Sequence, residues 1–340
     1  MTALAGVLSS AELAGRIRAT DYSNASATVL GYGNMGREYV KALRFLGVGN
    51  VHVCSRSSTP LAELEGMPGV RTLAGGYERS TEKAVRGELG IVATPTADLV
   101  AAASHLLNQG FRQLLIEKPV SLKSAEIQAL AATGEAHGAD IACAYNRVAY
   151  PSFHEALFRA RQDGGITSCQ YTFTEFVHRI GPGKFSTDEL TRWGVANSLH
   201  VLSMAHGLIG LPDRWQCFRQ GAISWHPSGA VFVGAGVSEQ NIPFDYHADW
   251  GSTGRWSVEL HTAKSSYKLC PLEQVFKRTS ATGDWDPLDV SVVAPEVKAG
   301  VVEEVAAMLL EPATRPVKLP TLSQTAQLTR YAEQVFGYEE

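Results

Sequence analysis

The sequence predicts an α/β N-terminal domain with a parallel sheet, followed by an α+β C-terminal domain with a large, mostly antiparallel sheet. The chain has 340 residues, which is more than one hydrophobic core normally supports. Short apolar strands alternate with helical stretches from Ala27 to Asn146, whereas residues 215–275 hold long strands with no helix between them. We therefore expect one domain over 1–146 and a second over 147–340.

The elements of the first domain follow from its hydrophobic pattern. Each strand is a short apolar run, and each stretch between strands repeats apolar residues at helical spacing. A parallel sheet with helical crossovers requires that order. Ahead of it, the extra segment 1–25 is expected to carry one helix near Ser10–Thr20. The predicted strands are 27–31, 50–54, 90–93, 113–116 and 140–144, and the predicted helices are 36–47, 79–87, 97–109 and 123–137.

The second domain begins with helices and then turns to long strands. A helix is predicted over 151–162, a strand over Thr167–Phe176, a charged loop over 177–192 and a helix over 194–209. One face of the later sheet should pack against helices. The other face, rich in Phe, Tyr and Trp, is a candidate surface for a homodimer or homotetramer. The remaining predictions are strands Ala230–Val237, Phe244–Trp250, Trp256–Thr262 and Ser266–Leu269, and helices 297–310 and 322–336, the last a candidate for packing on the first domain.

The first strand closes on three glycines, Gly31, Gly33 and Gly36, and a helical pattern follows at once. In such a motif the first glycine permits a tight turn, the second lets backbone approach a pyrophosphate, and the third lets the helix pack close to the strand. Asn34 and Met35 lie between the second and third glycines, ahead of the predicted helix, whose N-terminus would face the phosphates. The motif predicts a dinucleotide site in a Rossmann domain, although the same glycines also fit an ordinary turn between a strand and a helix.

The end of the second strand indicates which dinucleotide binds. A carboxylate there would hold the ribose 2′-hydroxyl of NAD, but the strand ends in Ser55, Arg56 and Ser57. An arginine can bind a 2′-phosphate through two hydrogen bonds and stack on adenine, and serine hydroxyls can donate to the same phosphate. We therefore predict NADP, with NAD as the second choice. The alternative is that Arg56 is a solvated loop residue.

Composition and charge exclude several classes of function. A formal net charge of −4, with 19% charged residues, leaves no basic excess for binding nucleic acid or anionic lipid. We find no segment with the pattern of a membrane span or a signal peptide. The five scattered cysteines form no CxxC pair, and the ten histidines form no HExxH motif. We expect a cytoplasmic protein with reduced cysteines and no metal.

Five short motifs occur along the chain in a characteristic order. They are Gly31–Gly36, Thr94–Pro95, Glu117–Val120, Tyr145–Arg147 and Asn197–Leu202. In order and spacing they resemble the Gfo/Idh/MocA oxidoreductase family, which includes glucose-fructose oxidoreductase and inositol dehydrogenase, over nearly the whole chain beyond about residue 25. The resemblance implies an oxidoreductase that transfers a hydride between NAD(P) and a ring carbon of a sugar, polyol or nucleotide-sugar.

The resemblance also implies roles for individual residues. In the family the lysine of the glutamate-lysine-proline motif contacts nicotinamide and a substrate hydroxyl, and a helix of the second domain supplies a histidine. Lys118 and His200 match these catalytic positions. Together with the residues already named, the predicted cofactor-binding set is Gly31, Gly33, Asn34, Met35, Gly36, Ser55, Arg56, Ser57, Thr94, Pro95, Glu117 and Lys118. The predicted substrate contacts are Tyr145, Asn146, Arg147, Asn197 and His200.

Elementary chemistry supports the two catalytic positions. Hydride transfer at a secondary alcohol needs a group that takes the hydroxyl proton, or returns it in the reverse direction. Burial beside a nicotinamide cation would lower the pKa of Lys118 toward neutrality. The ordinary pKa of histidine, about 6.5, already permits proton exchange at His200. Considered singly, Lys118 also fits a surface lysine, and His200 a hydrogen-bonded helix histidine.

Two positions depart from the family's pattern. The family commonly places an aspartate four residues before the histidine and often another three after it, whereas this chain has Ala196 and Ser203. Either Lys118 and His200 carry out the proton transfer, or the reaction is not a simple alcohol oxidation. Two alternatives therefore stay open: a non-catalytic NAD(P)-binding regulator, and an imine reductase, whose substrate can arrive protonated.

The loop 177–192 bears on the nature of the substrate. It contains His178, Arg179, Lys184 and Arg192 ahead of the predicted catalytic helix. Several cations there would suit a carboxylate or phosphate group on a small sugar-like molecule. An anionic sugar derivative bound through Arg179 is thus one hypothesis, and a solvated loop with ordinary charges explains the pattern equally well.

Overall fold

The structure is a computed structural model that describes residues 7–79 and 88–338. Its strands and helices are labelled in chain order. The first half contains α1 Ser10–Ala19, β1 Ser26–Leu30, α2 Asn34–Phe45, β2 Asn50–Ser55, β3 Val70–Ala74, β4 Leu89–Val92, α3 Leu99–Asn108, β5 Gln113–Glu117, α4 Ser124–Ala136 and β6 Asp140–Ala144. The second half contains α5 Pro151–Gln162, β7 Ile166–Thr172, α6 Thr187–Thr191, α7 Leu199–Ile209, β8 Pro212–Gln220, β9 Val231–Ser238, β10 Pro243–Asp249, β11 Ser257–Thr262, β12 Ser266–Leu269, β13 Val275–Arg278, β14 Asp286–Leu288, α8 Val301–Met308 and α9 Leu322–Phe336.

The strands of the first half form one parallel sheet in the order β3-β2-β1-β4-β5-β6. The strand order reverses between β1 and β4, so a crevice opens beyond their carboxyl ends. β4 is buried along its whole length, and β1 and β5 are buried except at their first residue. Central parallel strands have both faces covered, which explains their continuous apolar runs. The predicted Rossmann-type sheet is confirmed.

One strand of this sheet, β3, cannot be recognised from the sequence. All its residues are exposed or half-buried, since it lies at the edge of the sheet and pairs only with β2. An edge strand that carries Arg71 and Thr72 lacks the apolar run typical of a buried strand. The helix predicted over 79–87 falls, apart from Arg79, outside the described residues.

The strands of the second half form a single sheet in the order β14-β13-β12-β11-β7-β10-β9-β8. β7 and β10 run parallel, with Tyr171 opposite Tyr246. The other neighbouring pairs are antiparallel. The prediction of a large, mostly antiparallel sheet is therefore confirmed.

Most aromatic residues of this sheet lie on its helix-covered face, with the exposed Phe218 as an exception, so the prediction that the open face is rich in aromatic residues is wrong. In β10 the side chains of Phe244 and Tyr246 are buried, whereas those of Asp245 and His247 are exposed. Tyr171 stacks on Tyr246 with ring centroids 5.7 Å apart. Strand alternation sends successive side chains to opposite faces. α7 and α9 cover the face that receives the aromatic rings, because burying large apolar surface stabilises the fold.

Between β7 and α7 the chain differs from the prediction in three places. β7 ends at Thr172 and not at Phe176. The predicted loop contains α6, whose start is closed by a capping box in which Ser186 and Glu189 each bind the other's backbone N–H. The predicted 194–209 helix opens with a π-helical turn over Gly194–Ser198. Such wide turns shift the side chains that follow them and are frequent at functional sites.

Helix α8 starts later than the predicted residue 297 because of one glycine. Gly300 adopts φ +82°, in the left-handed region, and immediately precedes the helix. A Cβ at Gly300 would lie 2.2 Å from the carbonyl oxygen of Asn146. The close approach of these two segments therefore requires glycine.

Helices from both ends of the chain pack on distant segments. α1 packs on α5, where Ser10 donates to the carboxylate of Glu155. α8 packs on α2, and α9 packs on α4, where Glu333 accepts from the N–H and the hydroxyl of Ser124. Over the part of the chain that the structure describes, no helix has both the length and the apolar character needed to cross a membrane.

Candidate active site

A cleft of about 470 Å³ opens at the carboxyl ends of β1, β2, β4 and β5. Its lining comes from residues 31–35, 54–57, 76–77, 93–96 and 117–118, with Asp98 and Leu99 at one side. Every residue that the sequence predicts for cofactor binding lines this cleft except Gly36. The structure thus brings together side chains from four separate strand ends.

The three glycines of the first motif have different surroundings. Gly31 adopts φ +95°, and a Cβ there would lie 2.3 Å from the carbonyl oxygen of Ala93. A Cβ on Gly36 would lie 2.1 Å from the carbonyl oxygen of Gly31, so Gly36 permits the close packing of α2 on β1. A Cβ on Gly33, in contrast, meets no described atom within 4 Å. The backbone at Gly33 is therefore open to the cleft, as the approach of a phosphate requires.

The start of α2 faces the same cleft. The helix begins at Asn34, and no described side chain caps it, which leaves backbone N–H groups available to an anion. On the β4 side of the cleft, the hydroxyl of Thr94 is buried and bonds to no described residue. These open donors fit a dinucleotide whose pyrophosphate lies at the helix N-terminus.

The residues at the carboxyl end of β2 line another part of the same cleft. Ser55, Arg56 and Ser57 contribute to the lining, together with Gly76 from the loop after β3. The N–H of Gly76 donates to the carbonyl oxygen of Ser55 across 3.0 Å, which ties the two loops together. Arg56 is exposed, and no described carboxylate pairs with it. Its guanidinium is therefore available to an anionic ligand.

Glu117 ends β5 and is held by Tyr39 of α2, whose hydroxyl donates to Oε1 across 2.5 Å. Burial raises the pKa of Glu117, although the bond from Tyr39 opposes the shift. The chain then turns tightly: the N–H of Val120 donates to the carbonyl oxygen of Glu117, and the Lys118–Pro119 peptide bond is cis. Val120 has φ +69°, a conformation that is rare for a β-branched residue. The turn presents Lys118 at the cleft.

The side chain of Lys118 reaches from the end of β5 to the segment before α7. Its ammonium donates to the carbonyl oxygen of Ala196 across 2.9 Å, within the π-helical turn. Burial lowers the pKa of Lys118 to about 8, with Arg147 and Lys298 adding to the shift and Glu117 opposing it. A lysine with this pKa exchanges protons near neutral pH.

His200 lies in the first turn of α7, four residues after Ala196. Arg147 donates from its guanidinium to Nδ1 of His200 across 2.7 Å. Arginine has only donors, so we assign Nδ1 as the acceptor and place the ring proton on Nε2. Burial, together with the charges of Arg147 and Lys118, holds the pKa of His200 well below 6.5. His200 is therefore a neutral N–H donor close to Lys118.

The carboxyl of Glu175 is a further titratable group near Lys118, and no sequence motif indicates it. Glu175 follows β7 and is 4% exposed. Its oxygens accept from Nδ2 of Asn197 across 2.9 Å and from Oγ of Ser198 across 2.7 Å. Burial raises the pKa of Glu175 to about 7, although both hydrogen bonds and the charge of Lys118 favour its ionised form. Asn197 is thus held by Glu175, on the turn that also anchors Lys118.

Two predicted substrate contacts have other positions. Tyr145 is fully buried in the hydrophobic core, so its side chain does not reach the cleft. Asn146 donates to the carbonyl oxygen of Ala299 across 3.0 Å and accepts from Arg147 across 2.9 Å. Asn146 therefore orients Arg147 and is itself 3% exposed. Tyr145 and Asn146 follow β6, where the chain turns inward under α9.

The cations of the 177–192 loop have partners outside the cleft. Arg179 is exposed and packs over Phe176, with its guanidinium carbon 5.5 Å from the ring centroid. Arg192 donates to the carbonyl oxygen of Leu122 and pairs with Glu333 across 3.0 Å, beside α4 and α9. The anion site that the sequence suggests on this loop is not assembled around these arginines, because packing directs them to other groups.

Residues distant in the sequence complete the site. The ring of Trp256 lies 5.9 Å from that of His200, and the guanidinium carbon of Arg147 lies 5.3 Å from the Trp256 centroid. The positive charge of Lys298 also lowers the pKa of His200. The Lys298 ammonium lies 3.1 Å from Sδ of Met35. Gly76, Tyr77, Thr96, Asp98 and Leu99 also line the cleft, and no motif indicates them; Tyr32 lines it from within the glycine motif.

Solved structures resemble this chain over most of its length. The UDP-N-acetylglucosamine 3-dehydrogenase GnnA from Acidithiobacillus ferrooxidans is 14% identical, with a TM-score of 0.65 over 91% of this chain and 96% of that one. An NAD-binding oxidoreductase from Klebsiella pneumoniae is 13% identical, with a TM-score of 0.72 over 92% and 96%. An oxidoreductase from Agrobacterium radiobacter, in complex with NAD+, L-tartaric acid and magnesium, is 10% identical, with a TM-score of 0.71 over 94% and 96%. This chain shares the fold of these oxidoreductases, a parallel Rossmann-type sheet followed by a large, mostly antiparallel sheet.

Sequence comparison alone does not reach these proteins: no protein-family model and no curated relative matches the chain. The shared fold nevertheless accounts for the order of the motifs. It sets the crevice of the parallel sheet against the π-helical turn before α7, so that Lys118, from the first half of the chain, binds the turn that precedes His200, from the second half. The fold thus supplies the proximity that the linear sequence only implies.

Proposed function

We propose that this protein is an NADP-dependent oxidoreductase that transfers a hydride between nicotinamide and a ring carbon of a sugar-like substrate. The observation that carries the proposal is the contact of Lys118 with the π-helical turn just before His200, beside the cleft of the glycine motif. A lysine that exchanges protons near neutral pH and a neutral imidazole donor are what hydride transfer at a secondary alcohol needs. A UDP-N-acetylglucosamine 3-dehydrogenase among the proteins of this fold supports a sugar-like substrate.

In this proposal Lys118 handles the proton. A bound nicotinamide dinucleotide would accept or supply the hydride. During oxidation the neutral amine of Lys118 takes the hydroxyl proton as the carbonyl forms, and during reduction the ammonium returns it. Since the pKa of Lys118 is about 8, both forms are populated near neutral pH. The carbonyl oxygen of Ala196 holds the protonated amine in place.

His200 binds the substrate oxygen and does not take its proton. Arg147 occupies Nδ1, so the N–H at Nε2 is the ring group that can donate to a substrate oxygen. Because burial beside two cations holds the pKa of His200 well below 6.5, the imidazolium form is disfavoured. The sequence suggests proton exchange at His200, and the surroundings of the ring favour hydrogen-bond donation.

Arg56 supports NADP as the cofactor. It follows β2, at the position where a carboxylate would bind the ribose of NAD, and it is exposed at the edge of the cleft. Ser55 and Ser57 place two hydroxyls beside it. One guanidinium and two hydroxyls match the charge and the hydrogen-bonding needs of a 2′-phosphate.

Arg147 supports an anionic sugar derivative as the substrate. Its guanidinium donates to two neutral side chains, Asn146 and His200, and no described carboxylate lies within ion-pair distance of it. Its Nε is buried without a described partner, and the guanidinium lies between the rings of Tyr150 and Trp256. A largely buried guanidinium with no carboxylate in direct contact is incompletely compensated. A carboxylate or phosphate on the substrate would supply that counter-ion.

A turnover screen tests the proposal. The purified protein is mixed with NADPH or NADP+ and with neutral sugars, acidic sugars, polyols and cyclic imines, and the nicotinamide absorbance is followed. Oxidation or reduction of a sugar derivative is expected. NADPH binding without turnover of any compound would contradict the proposal and favour a regulator. Turnover limited to imines would contradict it and favour an imine reductase.

We further propose that the protein forms a homodimer or homotetramer through the open face of the second sheet. On that face Phe218 of β8 is 68% exposed and lies opposite Val233 of β9, which is 40% exposed. Adjacent exposed apolar side chains fit a contact with a second copy. Sedimentation velocity of the wild type and of Phe218→Glu should show the larger species only in the wild type.

A further inference from the structure

Glu175 connects the segment after β7 to the π-helical turn before α7. Its carboxylate accepts from Asn197 across 2.9 Å and from Ser198 across 2.7 Å. The residue before these two, Ala196, supplies the carbonyl oxygen that binds the ammonium of Lys118. The carboxylate, the turn and the lysine therefore form one connected unit, although they come from three separate parts of the chain.

We propose that Glu175 is a positioning residue that sets the proton affinity of Lys118, through its charge and through the 196–198 turn that it holds. The inference deepens the proposed function, and its catalytic meaning rests on that function. The electrostatic coupling between the two side chains, however, exists whether or not a substrate turns over.

The charged and titratable groups around Glu175 determine the sign of its effect. Lys118 and Arg147 carry positive charges that interact with it, and Tyr338 is the titratable hydroxyl on its other side. Burial raises the pKa of Glu175 to about 7 and lowers that of Lys118 to about 8, so the two groups titrate in neighbouring ranges. Because a charge interaction is mutual, ionised Glu175 stabilises the ammonium form of Lys118.

The other carboxyls in this part of the molecule differ from Glu175 in position or in protonation state. Glu117 lies on the β5 side and is bound by Tyr39. Glu304 is fully buried, its oxygens have no described partner, and burial holds its pKa well above the usual range, so it is neutral. Position 196 carries alanine and brings no carboxyl from the turn itself. Glu189 of α6 also interacts with Lys118, but it is bound by Ser186 and Thr96 and is not connected to the 196–198 turn by a described hydrogen bond. The carboxylate that is bound to that turn is Glu175.

Competitive labelling tests the coupling without substrate or cofactor. Lysines of the full chain are acetylated with trace acetic anhydride across a range of pH, and the Lys118 peptide is quantified by mass spectrometry. The wild type should give a midpoint near pH 8. Glu175→Gln should lower this midpoint, by up to about one pH unit, because loss of a nearby anion destabilises the ammonium. Glu175→Asp, which keeps the charge but draws it back, should give a midpoint between the two.

Glu155→Gln is the matched control. Glu155 is also buried, but it lies on α5, where it accepts from Ser10 of α1 and from Arg159. Its replacement should therefore leave the labelling midpoint of Lys118 unchanged. A folded E175Q with the wild-type midpoint overturns the proposal, even if its thermal stability or kcat falls, since a purely structural role predicts that result. If E175Q does not fold, Glu175→Asp decides: a lowered midpoint supports the proposal and a wild-type midpoint overturns it.

The pH profile of kcat/KM links the coupling to turnover. With a substrate from the screen, the profile of E175Q should move to lower pH together with the labelling midpoint. A profile that stays in place while the labelling midpoint moves would overturn the catalytic part of the inference. Failure to find any turnover would contradict the proposed function, whereas the labelling result would still decide the coupling.

Discussion

The guanidinium of Arg147 donates to Nδ1 of His200 across 2.7 Å, so a permanently charged group fixes the tautomer of the imidazole. The ring therefore presents N–H at Nε2. The ring of Trp256 packs against both Arg147 and His200. In the function that we propose, Lys118 exchanges the proton and His200 binds the substrate oxygen.

Replacement of Lys118 tests that division. Lys118→Met should lower kcat by about 100-fold or more, because a positioned acid or base contributes that much to proton transfer. The Kd for NADPH, measured by quenching of tryptophan fluorescence, should change little. Lys123→Met is the control, since Lys123 is exposed and outside the cleft. Unchanged turnover in Lys118→Met would remove Lys118 from the proton transfer.

Replacement of Arg147 tests the charge of the substrate. Arg147→Met should raise the KM for an acidic sugar roughly 10-fold or more, because hydrogen bonds to a charged group contribute about 1.5–3 kcal/mol. The KM for its neutral analogue should rise less. Arg179→Met, on the exposed loop, should affect neither. Equal losses for the acidic and neutral sugars in Arg147→Met would contradict an anionic substrate group at this arginine.

Replacement of Arg56 tests the cofactor. Arg56→Ala should weaken NADPH binding by roughly 10-fold, since one charge-assisted contact is lost, and should leave NADH binding nearly unchanged. Arg56→Asp should reverse the preference, because a carboxylate repels the 2′-phosphate and binds the ribose hydroxyl. Arg71→Ala, on the exposed edge strand, is the control. Equal NADPH and NADH affinities in the wild type would contradict the NADP assignment.

Two glycine variants should separate binding from stability. Gly33→Ala places its Cβ in open space, so the melting temperature should hold while dinucleotide affinity falls. Gly36→Ala places its Cβ 2.1 Å from the carbonyl oxygen of Gly31, so the protein itself should be destabilised, by about 1–3 kcal/mol. Thermal unfolding and NADPH titration of both variants measure this. A Gly33→Ala protein that binds NADPH like the wild type would argue against a pyrophosphate at that glycine.

A buried histidine outside the site predicts a pH dependence of stability. Burial lowers the pKa of His154 to about 4, so the folded state keeps it neutral while the unfolded chain binds a proton below pH 6.5. The free energy of unfolding should therefore fall as the pH drops from 6.5 to 5, by roughly 1.5 kcal/mol for this group. His154→Leu should lose that part of the pH dependence. Urea unfolding at pH 6.5 and at pH 5 measures this free energy for both proteins. An equal change in the free energy of unfolding between the two pH values in the wild type and in His154→Leu would contradict the prediction.

Local sequence patterns predict those features whose residues lie close together in the chain, such as the glycine turn and the ends of the strands. Gly31, Gly33 and Gly36 lie within one turn between a strand and a helix, so their spacing alone indicates a phosphate-binding backbone. Arg56 and Lys118 directly follow apolar strands, whose carboxyl ends meet at one edge of a parallel sheet. The order of strands and helices likewise follows from hydrophobic periodicity.

Tertiary structure alone decided which distant groups meet and which face of a strand is covered. Strand alternation shows that Phe244 and Tyr246 share a face, but packing of α7 and α9 determines that this face is inside. The bond between Arg147 and His200 and the placement of Glu175 beside Asn197 join segments whose side chains carry no mutual signal in the sequence. Hydrogen bonds and charge coupling act over a few ångströms of space, and only the folded chain sets those distances.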